Sequence, residues 1–276
     1  MQTQLHTEAN LPEQTGYFAV PGADIYAVLH PVTDPVARVL LVGPFASGRH
    51  LSYHPWVRWA RYLAARHVEV LRFDYRGIGE STGLFEEMSF ENWSEDVEIL
   101  ADWVRRRSPN VPLVLHGLEL GAILCARSFH MGTGDALLLW SPAANANQVL
   151  RSTLLRWAGL KLLCEPPEKR KTVSEHIRQL EQGCSIEVQG YQWSSRLWRD
   201  SFHLELPDAM RDERSPSEAY KKPVRIVKLG EEGACLVKSR LRDNEVEDLS
   251  WLYSSNFDWF TEALALPTRG HNEADK

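Results

Sequence analysis

The sequence is short of several features that would assign a chain at once. Only four of its 276 residues are cysteine (Cys125, Cys164, Cys184 and Cys235), and none belongs to a C-x-x-C pair. That argues against a disulfide framework and against zinc-type ligand spacing, and it fits reduced thiols in a packed interior. No apolar stretch approaches the roughly 18 residues that a membrane span requires. The N-terminal stretch MQTQLHTEANLPEQTG has no apolar signal core, so a cytoplasmic protein is expected. Basic residues are not in excess: the formal net charge is -6 and no long basic run occurs. Nucleic acid is therefore not an expected partner. No cofactor and no metal is expected either. Tryptophan, by contrast, is abundant at ten residues, several of them in helix-like segments where they would pack a core or a cap. A chain of this length can bury a full core, and the expectation is a single α/β domain over residues 1–276.

Taken in order, residues 17–20 and 25–30 read as two short strands joined by the turn Pro21-Gly22-Ala23-Asp24. Residues 36–42, VARVLLV, form an apolar strand suited to burial on both faces. A loop follows over residues 43–50, then a helix over 54–66 with Trp56, Trp59, Ala60, Leu63 and Ala64 at helical spacing. Another strand covers 68–73, and an amphipathic helix covers 92–107 with Trp93, Val97, Leu100, Ala101 and Val104 on one face. Residues 111–115 and 135–140 are further strands. This alternation predicts a mostly parallel central sheet flanked by helices. From residue 143 to 220 the alternation breaks, with helices predicted at 147–164 and 173–182, and this stretch is expected to form a helical cap inserted above the sheet. The sheet resumes at 224–229, a weaker strand is expected at 245–249 or 251–253, and a last helical piece covers 258–266. Residues 268–276 are expected to be a disordered tail.

The stretch VPLVLHGLELGAILCAR, residues 111–127, carries the chemistry. An apolar strand runs into Gly117-Leu118-Glu119-Leu120-Gly121 and then into an apolar helix. This is the layout of a nucleophile elbow, G-x-S-x-G, in which a strained turn lifts one side chain above the sheet. Gly117 and Gly121 let strand and helix pass closely, and the place of the serine holds Glu119.

Three features share one order and spacing: the strand ending in Gly43-Pro44-Phe45, the block Arg72-Phe73-Asp74-Tyr75-Arg76-Gly77-Ile78-Gly79-Glu80-Ser81, and the 117–121 elbow. Together they resemble the α/β-hydrolase superfamily, in its serine-aminopeptidase-like branch, which implies an α/β-hydrolase fold. Further on, Leu138-Leu139-Trp140-Ser141-Pro142, Asn147-Gln148-Val149-Leu150-Arg151, Glu187-Val188-Gln189-Gly190-Tyr191 and Phe257-Asp258-Trp259-Phe260 resemble the exosortase A system-associated hydrolases. That narrower resemblance implies work beside exopolysaccharide production and protein sorting. It also implies that an elbow without serine is shared by relatives.

The superfamily order is nucleophile, acid, histidine. Glu119 takes the first place. The acid is expected after the strand at 224–229, where Glu231 and Glu232 stand one or two residues out of register and read as solvated loop carboxylates. The histidine is expected near Ser254-Ser255-Asn256-Phe257, where there is none. His271 lies in the polar tail, His116 reads as a strand-end histidine bonded to backbone, and His50 and His54 flank the loop above the sheet as pocket candidates. The oxyanion positions are Phe45 and Leu120. A carboxylate beside those N–H donors would repel the transient oxyanion and compete for them. The helix N-terminus is expected to favour ionised Glu119. Two readings follow. One is a noncatalytic protein that binds a small molecule or a protein partner. The other is an atypical hydrolase or acyl-transfer enzyme acting on an ester or thioester, with Glu119 as base or nucleophile.

Overall fold

The computed structural model of the chain describes residues 3–7, 13–164, 166–211, 216–229 and 249–267. Strands β1 (Thr3–Thr7), β2 (Gln14–Val20) and β3 (Ala23–His30) form an antiparallel ribbon. Strand β4 (Ala37–Val42), helix α1 (Gly48–Ala64), strand β5 (Val68–Phe73), helix α2 (Phe90–Arg107), strand β6 (Leu113–Leu118), helix α3 (Leu120–His130) and strand β7 (Ala136–Trp140) then alternate. After β7 come α4 (Ala146–Cys164), α5 (Val173–Glu181), the hairpin β8 (Ile186–Val188) and β9 (Tyr191–Trp193), and the short helices α6 (Ser195–Asp200), α7 (Asp208–Arg211) and α8 (Pro216–Tyr220). Strand β10 (Val224–Val227) and helix α9 (Ser250–Ala263) complete the described elements.

Eight strands form one sheet in the order β1-β2-β3-β5-β4-β6-β7-β10. Strands β5, β4, β6, β7 and β10 pair parallel, whereas the ribbon joins β5 antiparallel. The sheet is mostly parallel because each of those strands is returned by a crossover rather than a hairpin. Every residue of β4, β6 and β7 is buried, as expected for strands covered on both faces. On one face Leu40, Val42 and Leu115 pack with α2, α3 and the start of α4. On the other, Val39, Leu41, Val114 and Trp140 pack with Trp56, Trp59 and Leu63 of α1 and Leu252, Tyr253 and Phe260 of α9.

Several boundaries differ from the sequence reading. Helix α1 begins at Gly48, six residues before the expected start, and Pro55 lies inside it. Proline is at home in a first turn, so the sequence pattern points to a start beside it. Helix α9 begins at Ser250, so Trp251–Tyr253 is helical rather than a strand. Those aromatic side chains suit a strand locally, but Leu252 and Tyr253 lie on the buried face of a helix packed on Trp59. The strand β1 has no sequence signature, because TQLHT holds a single apolar residue and its order comes from pairing with β2. The other expected position for a weak strand, at 245–249, lies outside the described residues except for Leu249, and the expected tail at 268–276 lies outside them.

Candidate functional site

The turn between β6 and α3 is built by its backbone. A Cβ on Gly117 would overlap the carbonyl oxygen of Gly121, and a Cβ on Gly121 would overlap that of Val42. Strand, helix and the neighbouring strand β4 therefore approach more closely than any side chain would permit. The residue at the crest, Glu119, has φ 55° and ψ −109°. A non-glycine residue rarely occupies that region, and holding it there costs about 1–3 kcal/mol. Its N–H donates to the carbonyl of Trp140 at 3.1 Å, which ties the crest to β7.

The Glu119 side chain does not cap the helix it precedes. It turns to the loop after β4, where Oε2 accepts the N–H of Phe45 at 3.3 Å. Its other partner among the described residues is Arg156 of α4, with Nη2 3.9 Å from Oε1. Burial raises the Glu119 pKa above the usual carboxylate value, against the opposing pull of Arg156 and the Phe45 N–H. Loss of hydration thus opposes the pull that the helix terminus is expected to exert toward the ionised form. Of the two oxyanion positions, Phe45 has its N–H on the carboxylate and Leu120 is the fully buried first residue of α3.

The loop over residues 43–48 is clamped from several sides. The Tyr75 hydroxyl donates to the Gly43 carbonyl at 2.7 Å. Arg49 binds both oxygens of Asp74, at 2.6 and 2.7 Å. Asp74 also accepts the Glu80 N–H at 3.1 Å, and a Cβ on Gly79 would overlap its carboxylate. The hairpin of β8 and β9 closes over the loop: the Trp193 ring lies 5.4 Å from that of Phe45, and the Ser47 hydroxyl donates to the Gln189 side-chain carbonyl. Phe45 is buried as a result.

The conspicuous block from Arg72 to Ser81 is scaffolding for this loop. Arg76 is buried and donates to fully buried Asp96 at 2.6 Å, while its own N–H donates to the other Asp96 oxygen at 3.1 Å. Burial pushes the Asp96 pKa up to about 6, against the pull of Arg76. Sequence reasoning missed this pair, although an aspartate among Trp93, Val97 and Leu100 on the buried face of α2 was a signal that a cation must meet it. It also missed Arg156, because no spacing joins positions 119 and 156.

Among the described residues, no histidine meets Glu119. His116 is buried on the α1 and α9 face of the sheet, where Nδ1–H donates to the Leu138 carbonyl at 2.9 Å. Its ring packs 4.6 Å from Trp140 and 5.0 Å from Trp56, and burial lowers its pKa to about 3. His50 lines a cleft of about 470 Å³ with Tyr26, Arg49, Tyr53, Arg72 and Glu80, beside the elbow loop rather than on Glu119. His54 is exposed and packs on Tyr53. Residues Ser254 to Phe257, where a histidine was sought, lie within α9. Glu231, Glu232 and His271 lie outside the described residues.

The family model described as "Serine aminopeptidase, S33" matches residues 34–182. An uncharacterized protein of Salmonella typhimurium, YfhR, is 32% identical over 130 residues, which is 46% of this chain and 42% of that protein. The match therefore spans less than half of that relative's length. Among solved structures, the ferulic-acid complex of Est1E from Butyrivibrio proteoclasticus superposes with a TM-score of 0.60 at 16% identity, covering 90% of this chain and 99% of that one. The α/β hydrolase GrgF from Penicillium sp. sh18 superposes with a TM-score of 0.59 at 16% identity, covering 93% and 100%. At such identity these likenesses concern the fold alone.

Proposed function

The chain belongs to the serine aminopeptidase, S33, family and has the α/β-hydrolase fold, and from that premise we propose that it is a member whose elbow holds a carboxylate in place of the nucleophilic serine, and that it binds a small molecule or a protein partner without hydrolysing esters. The observation that carries this reading is the Phe45 N–H on Glu119 Oε2. In ester hydrolysis that donor must be free for a developing oxyanion. Here it is taken by a group that would also repel one. Among the described residues no histidine bonds Glu119 either, and the one histidine after His203 in the sequence, His271, lies outside them. The resemblance to the exosortase A system-associated hydrolases links the binding to exopolysaccharide or cell-surface assembly.

Residues 143–220 act as the cap of this site within a single unit spanning 1–276. Arg156 of α4 on Glu119, Gln189 on Ser47 and Trp193 on Phe45 support that role. The free thiols of Cys125, Cys164 and Cys184, two of them exposed, support a reducing, cytoplasmic location.

One observation favours a second reading. Burial raises the Glu119 pKa, which moves a carboxyl group toward the range useful for general acid–base work. Hydrolysis of p-nitrophenyl esters and of a thioester by wild type, Glu119→Gln and Glu119→Ala separates the two. Equal, background-level rates are expected. A burst of product with an adduct on Glu119 would establish the enzymatic reading instead.

A further inference from the structure

Helix α4 begins in the core and ends outside it. Ala146, Asn147, Val149, Leu150, Thr153 and Leu154 are buried against the body of the protein. Toward the C-terminal end Trp157 and Ala158 stay buried, but the leucines beside them lose their cover: Leu155 is 59% exposed, Leu160 58%, Leu162 52% and Leu163 83%. Other exposed large apolar side chains among the described residues are scattered along the chain. Scattered exposed leucines need no explanation, but four within nine residues do.

The arrangement of these leucines tells what covers them. With 3.6 residues per turn, Leu162 and Leu163 stand roughly 200° and 300° round the axis from Leu160. Leu155 stands at roughly 220°, so the four leucines form one stripe about 160° wide. A stripe of that width suits a helix lying flat in a lipid interface. A second copy of this chain would instead set two basic rims against each other.

The charge around it points the same way. Residues 151–171 hold six Lys and Arg against two Glu, in a chain whose net charge is -6. Lys161 sits inside the leucine cluster with Nζ 4.5 Å from the Trp157 ring centre, and Arg170 and Lys171 are exposed just beyond the helix. Apolar insertion together with a basic rim is the pair of signals that reversible binding to an anionic membrane surface needs.

We propose that residues 155–164 dock on an anionic lipid bilayer, with the four leucines entering the acyl–headgroup boundary and Lys161, Arg170 and Lys171 facing the headgroup phosphates. This surface contact is independent of whatever Glu119 does. It does, however, fix the elbow near the bilayer, since the same helix carries Arg156 to within 3.9 Å of Glu119.

Vesicle flotation of the full chain tests the proposal, using phosphatidylcholine vesicles with and without phosphatidylglycerol. Wild type is expected to float with the anionic vesicles and at least about tenfold less with the neutral ones. Binding should weaken as salt rises from about 0.1 M to about 1 M, where the Debye length falls from about 10 Å to about 3 Å. The combined variant Leu160→Ser, Leu162→Ser, Leu163→Ser should bind at least about tenfold more weakly with an unchanged circular dichroism spectrum. As a readout that leaves the leucines intact, an environment-sensitive dye on Cys164, in a protein with Cys184→Ser and Cys235→Ser, should shift to the blue on anionic vesicles. The proposal is overturned if wild type stays with the aqueous fraction. It is equally overturned if the dye does not shift, or if the leucines hold together a dimer in light scattering that ignores vesicles.

Discussion

At position 119 glycine should be more stable than alanine, the reverse of the ordinary order. Both substitutions remove the carboxylate, the Phe45 hydrogen bond and the Arg156 contact, so their difference isolates the backbone. At a site with common dihedral angles, alanine wins by about 0.4–1 kcal/mol because glycine has more freedom to lose on folding. Glu119 sits instead at φ 55° and ψ −109°. That is close to the first central position of a type II′ turn, where glycine is the natural occupant. A strain of about 1–3 kcal/mol is relieved by glycine and retained by alanine. Subtracting the entropy term leaves Glu119→Gly ahead of Glu119→Ala by about 1 kcal/mol, or about 3 °C in melting temperature for a domain of this size. Urea titration followed by tryptophan fluorescence measures it, with the slope serving as a check that both variants unfold from the same compact state. If Glu119→Ala equals or exceeds Glu119→Gly, the crest is not strained. The conformation would then relax with its side chain instead of being imposed by the surrounding backbone.

Glu119→Ser should remain far below an ordinary esterase rate of about 10 per second, because a serine hydroxyl needs a positioned base for both acylation and deacylation; steady-state hydrolysis of a short-chain ester decides it, and a fast rate would mean that one of His50, His54, His116 or His271 reaches the elbow. His116 is neutral in the native state with a pKa near 3, whereas its unfolded form takes up a proton below about 6.5, so its contribution is present above that pH and is lost as the pH falls. Between pH 7 and pH 5 wild type should lose about 2 kcal/mol more stability than His116→Phe, measured by urea midpoints at each pH. His30, held near 4 chiefly by burial, titrates in the same window and is present in both proteins, so it cancels. Gly121→Ala should destabilise by about 3 kcal/mol, because the new methyl meets the backbone of Val42 and Gly43. Gly159→Ala, in α4 with nothing within 4 Å, should stabilise by about 0.5–1 kcal/mol, and thermal melts of the two give opposite signs.

The elements that could be read from the sequence were those whose reason is local. Strand β4 is legible because the apolar residues of ARVLLV run almost without a break, and the elbow is legible because Gly117 and Gly121 stand where backbones nearly touch. Helix α9 misled because its signals conflict: Leu249 before it offers no side-chain cap, and Trp251–Tyr253 suit a strand until Trp59 and Phe260 are placed around them. At the site, the identity of Glu119 was plain but its partners were not. Phe45 and Arg156 lie 74 residues before it and 37 after it in the chain, and only the folding of α4 and of the loop after β4 brings them to one carboxylate. The upward push of burial on the Glu119 pKa was hidden for the same reason: the helix terminus is visible in sequence, whereas burial is not.

The elbow's frame makes no use of the side chain at its crest. Gly117 against Gly121, Gly121 against Val42, and the Glu119 N–H on Trp140 are all main-chain relations. Inheritance can therefore treat the two parts separately. A change at codon 117 or 121 strains the main chain itself. A change at codon 119 leaves the fold standing and alters only what the crest presents to a visitor. One such codon is enough to change the group at the crest while keeping the main chain around it in place. By the same logic, chemistry can be exchanged at this point of the chain faster than architecture can drift.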